Sequence, residues 1–212
     1  MAERRALERY PRPSVAVDAA VLTLDASGRS LLVLEVRRAE SPGWALPGTF
    51  LHEGETLADA VRRALLDKAG VEGLAPRQLH VFDAPGRDDR GWVLSVAHVA
   101  VVRPEHLEGA FRDRTRLTPV DRPGRLPWDH ADIIGLAVDD LRERYREKAD
   151  PDGLLGDTFT LSELRHAHEA VSGRRILRDA FARGMLRREL IESTGEAAEG
   201  GRGRPAEMFR RT

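Results

Sequence analysis

The sequence predicts an α/β protein in two parts: an α/β/α sandwich over residues 1–152 and a small domain of two helices and a strand pair over residues 153–212. Three observations lead there. Apolar strand-like runs alternate with stretches of helical periodicity up to about Lys148. The run Asp150-Pro-Asp-Gly153 then breaks the chain. Beyond it the charge changes character: Gly173 to Arg188 holds six arginines (174, 175, 178, 183, 187 and 188) against the single acid Asp179.

The elements follow in order. Ser14–Leu24 and Leu31–Val36, both apolar, are predicted strands joined by the turn Asp25-Ala-Ser-Gly28. Thr56 with Asp59 three residues on caps a helix over 57–69, which Gly70 closes at its C′ position. Gln78–Phe82 and Trp92–Val102 are predicted strands around a loop containing Arg87-Asp-Asp-Arg-Gly91. From Asp129 to about Lys148, Ile133, Ile134, Leu136, Ala137, Leu141 and Tyr145 recur at helical spacing. His130 there is read as structural rather than as a metal ligand, with Asp129 as the helix cap. In the tail, Thr160-Leu-Ser-Glu163 is a capping box opening a helix that ends at Gly173. Leu177, Phe181 and Met185, four apart, are expected to seat a second helix on the first. Leu190–Ser193 and Ala206–Arg211 then pair around a flexible basic loop. Two helices followed by such a hairpin resemble a winged helix-turn-helix.

Composition narrows the function. The formal net charge is −1, so global charge points to neither nucleic acid nor membrane. The chain lacks cysteine, which excludes disulfides, thiol catalysis and cysteine-based zinc sites. No run of 18 apolar residues and no apolar signal core follows Met1, so a cytoplasmic protein with no membrane partner is expected.

Residues 48–71 carry the central motif. They resemble the Nudix box: Glu55, Arg63, Gly70 and Val71 stand in its frame, with Trp44-Ala-Leu-Pro-Gly48 and Glu53-Gly-Glu55 in supporting positions. The metal-binding glutamates of that family, however, fall on Ala64, Asp67 and Lys68, and its first glycine on Thr49. Positions 64, 67 and 68 share one helix face. Three carboxylates there would hold Mg²⁺ through oxygen and polarise a pyrophosphate; a methyl, one carboxylate and an ammonium would not. No catalytic residue and no required metal are therefore expected, Asp67 leaving room only for weak Mg²⁺.

From about Tyr10 onward the chain resembles the Nudix-related transcriptional regulators of NAD metabolism, the NrtR type. The features are Tyr10-Pro-Arg-Pro-Ser-Val-Ala-Val-Asp18, the degenerate box, Arg87-Asp-Asp-Arg-Gly-Trp-Val-Leu-Ser-Val-Ala97, Trp128-Asp-His-Ala-Asp-Ile-Ile134, Thr158-Phe-Thr-Leu-Ser-Glu-Leu164 and Gly203-Arg-Pro-Ala206. The resemblance implies a repressor of NAD-metabolism genes. It would bind palindromic operator DNA as a homodimer and be released by ADP-ribose or a related nucleotide. Arginine forks suit a diphosphate, which makes Arg37, Arg38 and Arg90 effector candidates; Trp44, Glu55 and Asp67 join them. For DNA, Arg174, Arg175, Arg178 and Arg183 are contact candidates, Arg187 a phosphate contact, and Arg202 and Arg204 wing contacts. Arg188 is left out because Glu189 and Glu192 stand ready to pair with it. The competing expectation is a working ADP-ribose or ADP-sugar pyrophosphatase with an appended domain.

Overall fold

The structure is a computed structural model and describes residues 9–39, 42–198 and 205–212. Its first part is a seven-stranded mixed sheet between two helices. The strands are β1 (Ser14–Leu24), β2 (Leu31–Arg37), β3 (Trp44–Ala45), β4 (Gly48–Phe50), β5 (Arg77–Phe82), β6 (Val93–Val101) and β7 (Thr115–Pro119). They run in the order β3-β2-β1-β6-β5, with β4 added on β1 and β7 on β2. β1 is central and pairs in parallel with β6 over Ser14–Leu22; its other pairings are antiparallel.

That position explains why β1 reads as a nearly continuous apolar run. Val17, Ala19 and Val21 face α1 (Leu57–Ala69) together with Val61 and Leu65. Ala20, Leu22 and Leu24 face α2 (His130–Glu147) together with Ile133, Ala137 and Leu141. A strand covered on both faces has no solvent side on which to place polar residues. Each fully buried valine or leucine contributes about 1.5–3 kcal/mol. Asp18 is the charged exception within the run, and it belongs to the site described below.

The α1 caps are those expected: Thr56 accepts from the Asp59 N–H at 3.2 Å, and Gly70 adopts φ 69°. A Cβ on Gly70 would also come within 2.8 Å of the Phe111 ring. Asp129 occupies the N-cap position of α2, but its carboxylate makes no cap hydrogen bond. It pairs instead with Arg87 at 2.5 Å.

The second part adds β8 (Thr158–Thr160), α3 (Leu161–Ser172), α4 (Arg178–Arg187), β9 (Ile191–Ala197) and β10 (Glu207–Arg211). The strand pair expected from sequence is a three-stranded sheet, β8-β10-β9. Its core is Phe159, Leu164, Phe181, Met185, Ile191 and Phe209. Leu177 departs from expectation. It lies outside α4 as the N-cap, with extended backbone, and is 81% exposed, while Phe181 and Met185 are buried.

The two parts share α3. Its Leu164 enters the second core, whereas Ala167 and Val171 join the core around α2. The turn after α2 is tied by Asp150, 1% exposed, which accepts from Tyr145 Oη at 2.6 Å, from the Leu154 and Leu155 N–H groups at 3.0 Å, and from Arg211 Nη1 at 2.8 Å.

Candidate functional site

Four segments converge at one end of the sheet and form a rim of rings and guanidinium groups. The end of β2 supplies Arg38, β4 supplies Phe50, the loop before β6 supplies Arg90, and the turn before α2 supplies Trp128. The Arg90 guanidinium carbon lies 4.7 Å from the Trp128 ring centre and 5.2 Å from that of Phe50. Arg38 stands over the same Trp128 ring at 5.3 Å. Trp128 adopts φ 50°, a strained value for a bulky residue.

The loop that presents Arg90 is anchored from below. Arg87 is buried against Asp129. Asp88, its side chain 2% exposed, holds Arg90 in a fork at 2.9 and 2.7 Å. The Arg90 guanidinium keeps the Asp88 carboxyl below its ordinary value. Arg90 itself is half-exposed, with its geometry fixed by Asp88.

Behind the rim lies a buried polar group. Asp18 accepts from Ser95 Oγ at 2.5 Å, and its Oδ1 is 3.3 Å from His130 Nε2, within charge attraction but off the line of a good hydrogen bond. Burial pushes the Asp18 carboxyl up, but His130, Ser95 and Arg87 together outweigh it and hold it below its ordinary value. His130 Nδ1 accepts the Leu46 N–H at 2.9 Å, which fixes the ring. His130 is thus buried and held by the backbone of Leu46 beside Asp18. Glu35, fully buried on β2, pairs with Arg116 of β7 at 2.6 Å, and Arg116 stacks at 4.5 Å on Trp44. Burial raises the Glu35 carboxyl, against the pull of Arg116.

The expected effector residues do not all come together. Arg38 and Arg90 meet at Trp128. Arg37 ends β2, exposed, in register with Trp44, whose ring is stacked by Arg116. Glu55 is taken up by Arg63. It binds Arg63 through two bonds of 2.8 and 2.9 Å and accepts the His52 N–H, so its carboxyl falls to about 2. Arg63 in turn reaches the Phe50 carbonyl and Thr49 Oγ1. Glu55 thus clasps loop to helix. Asp67 is exposed on α1 and does not pair with Arg63, which belongs to Glu55.

Sequence reasoning missed Phe50, Trp128, Glu35 and Arg116. A lone acid inside the apolar run Leu31–Val36 was a legible signal for Glu35; nothing local marked Phe50.

The box face does not fit a divalent cation. Ala64 is buried, and the Lys68 ammonium donates to the Gly48 carbonyl. No group of three or more His, Cys, Asp or Glu among the described residues could hold a metal ion. One carboxylate beside a seated ammonium is the wrong donor set for Mg²⁺.

The second surface lies on the small domain. Arg174, Arg175, Arg178, Arg183 and Arg187 are all exposed on α4 and the turn before it, and none takes part in an ion pair among the described residues. Arg188 differs: its Nη2 donates to the Arg146 and Glu147 carbonyls at 2.7 and 3.2 Å, while Glu192 pairs with Arg210 at 2.6 Å. Arg188 is thus occupied by the end of α2 rather than by a neighbouring acid. Arg202 and Arg204 lie outside the described residues. No helix among those residues is long and apolar enough to cross a membrane.

Comparisons with known proteins agree with this architecture. The NUDIX domain family matches residues 14–137, and the NrtR DNA-binding winged helix domain matches residues 153–211. Shewanella oneidensis NrtR, solved with a 27mer DNA, is 31% identical with a TM-score of 0.73, covering 93% of each chain. The Nudix domain of that protein, solved with ADP ribose, is 27% identical at a TM-score of 0.55 and covers 66% of this chain and 99% of its own. In Acinetobacter baylyi, the "ADPR responsive transcriptional repressor NtrR" is 29% identical over 210 residues, 95% of this chain and 83% of its own length. A Nudix domain followed by this winged helix, matched end to end by a solved relative, places the chain in the NrtR family of Nudix-related transcriptional regulators.

Proposed function

We propose that the chain is a transcriptional repressor of NAD-metabolism genes that grips operator DNA as a homodimer and releases it when ADP-ribose occupies the Nudix cleft. The observation that carries this reading is the match over 93% of both chains to a relative solved on DNA, with five exposed arginines in the matching winged helix that form no ion pair among the described residues. The division at 152/153 separates the sensing part from the DNA-binding part, and the protein works in the cytoplasm beside its DNA.

In this reading Arg38 and Arg90 take the diphosphate, because two guanidinium forks match its oxygens. Trp128 and Phe50 offer ring faces to the base or ribose, with Arg37 and Trp44 at the cleft edge. Arg174, Arg175, Arg178 and Arg183 enter or flank the major groove, and Arg187 meets phosphate. In the dimer the two recognition helices stand about 34–36 Å apart, one turn of DNA.

The cleft binds without hydrolysing. Lys68 supplies a tethered positive charge where the Nudix family places carboxylates for a metal, so effector binding needs no Mg²⁺. The test is calorimetry with ADP-ribose in EDTA and in Mg²⁺, with AMP release followed in the same samples. Equal affinity in both buffers, no AMP, and a loss of roughly tenfold or more in Arg90→Ala support the reading. Steady AMP release in Mg²⁺ would establish the pyrophosphatase instead.

A further inference from the structure

Leu177 is the residue in the DNA-binding domain whose placement the fold does not explain. It is the N-cap of α4, with φ −68° and ψ 123°, and its side chain makes no cap hydrogen bond. Leucine is among the least favoured residues at an N-cap, where Ser, Thr, Asp or Asn would satisfy a free backbone N–H. Nor does it serve packing. The apolar residue before a cap commonly staples the entry turn to the helix, and here Ile176 does this by packing on the core that contains Phe181 and Met185. Leu177 is left 81% exposed.

Its surroundings say what covers it. Arg174, Arg175 and Arg178 stand exposed on either side, so the patch is a leucine set in positive charge. A protein or membrane surface that buried the leucine would also have to neutralise those arginines; DNA does both. The N-terminal end of the second helix of a helix-turn-helix enters the major groove. On the floor of that groove the thymine 5-methyl is the apolar group among the base edges, and phosphates line both walls. Leu186, the other exposed leucine of α4, sits nine residues on, about 14 Å toward the far end of the helix. It has no such position.

We infer that Leu177 reads a thymine methyl group in each operator half-site, with Arg174, Arg175 and Arg178 holding the flanking phosphates and purines. This rests on the reading of the winged helix as the operator-binding element. The identity it specifies at its position is thymine against cytosine, through the methyl group that cytosine lacks.

The test uses the full chain and a duplex selected by it from a random pool. Each thymine of the duplex is replaced in turn by uracil, which removes only the methyl group. Wild-type protein is expected to lose roughly three- to tenfold in affinity at one symmetric position. Leu177→Ala should bind the unmodified duplex with a similar loss and lose nothing further on that uracil duplex. Leu177→Ser guards against a folding artefact, since serine improves the cap: its melting temperature should hold or rise while operator affinity falls. Affinity unchanged in both variants, or losses that simply add on every uracil duplex, would overturn the assignment while leaving DNA binding intact. No enrichment from the pool would overturn the DNA-binding reading beneath it.

Discussion

At the scale of single residues, the site depends on charged groups fixed by other charged groups. Arg90 is aimed because Asp88 is buried beneath it, and Arg38 shares its aromatic platform. Two buried histidines, His98 and His168, couple stability to mildly acid pH. His168, 2.5 Å from the Ala149 carbonyl and packed between Tyr145 and Phe181, is held below the ordinary imidazole value, chiefly by burial. His98 is depressed for the same reason. With the folded value below the unfolded one, both states are neutral above about pH 6.5, and the unfolded chain takes up protons first as pH falls. Stability is therefore expected to fall from pH 7 to pH 5, read as melting temperature. His168→Gln, which keeps a donor for Ala149, should flatten that slope; an unchanged slope would assign it to other groups.

At the scale of elements, what was legible from sequence was what local chemistry decides. Thr56 with Gly70 and Thr160 with Gly173 bound their helices as expected, because caps are satisfied by residues within three or four positions. The Thr160 box is complete, each partner accepting the other's backbone N–H. Thr160→Ala is expected to cost about 1 kcal/mol, lowering the melting temperature by roughly 2–4 °C. A change under half a degree would mean that α3 is held by packing alone. Strands β3, β4, β7 and β8 were not legible. They have two to five residues and become strands only because a longer partner lies beside them. Phe50 and Trp128 escaped for a related reason: their meeting at Arg90 is made by the fold rather than by any spacing. Leu177 fitted a four-residue repeat that the helix start cut off.

At the scale of the molecule, α2 connects the two surfaces. It begins at His130 beside Trp128 and runs 18 residues to Glu147, a span of about 27 Å, next to the Tyr145–Asp150 hydrogen bond. There the winged domain is fastened to it by Arg142 on the Val171 carbonyl at 3.1 Å and by Arg188 on the carbonyls that close α2. In the proposed reading, a nucleotide that prefers one setting of α2 biases where the recognition helix stands. The affinity lost for DNA is then the difference in nucleotide binding between the two settings. The measurement closest to this claim is fluorescence anisotropy of the full chain on its selected duplex, titrated with ADP-ribose in EDTA. The account predicts binding that weakens at least fivefold at saturating ADP-ribose, a coupling of about 1 kcal/mol, and that falls steeply with salt as several arginine–phosphate contacts require. Binding that is equally tight with and without ADP-ribose, in a protein shown to be saturated with it, would contradict the account.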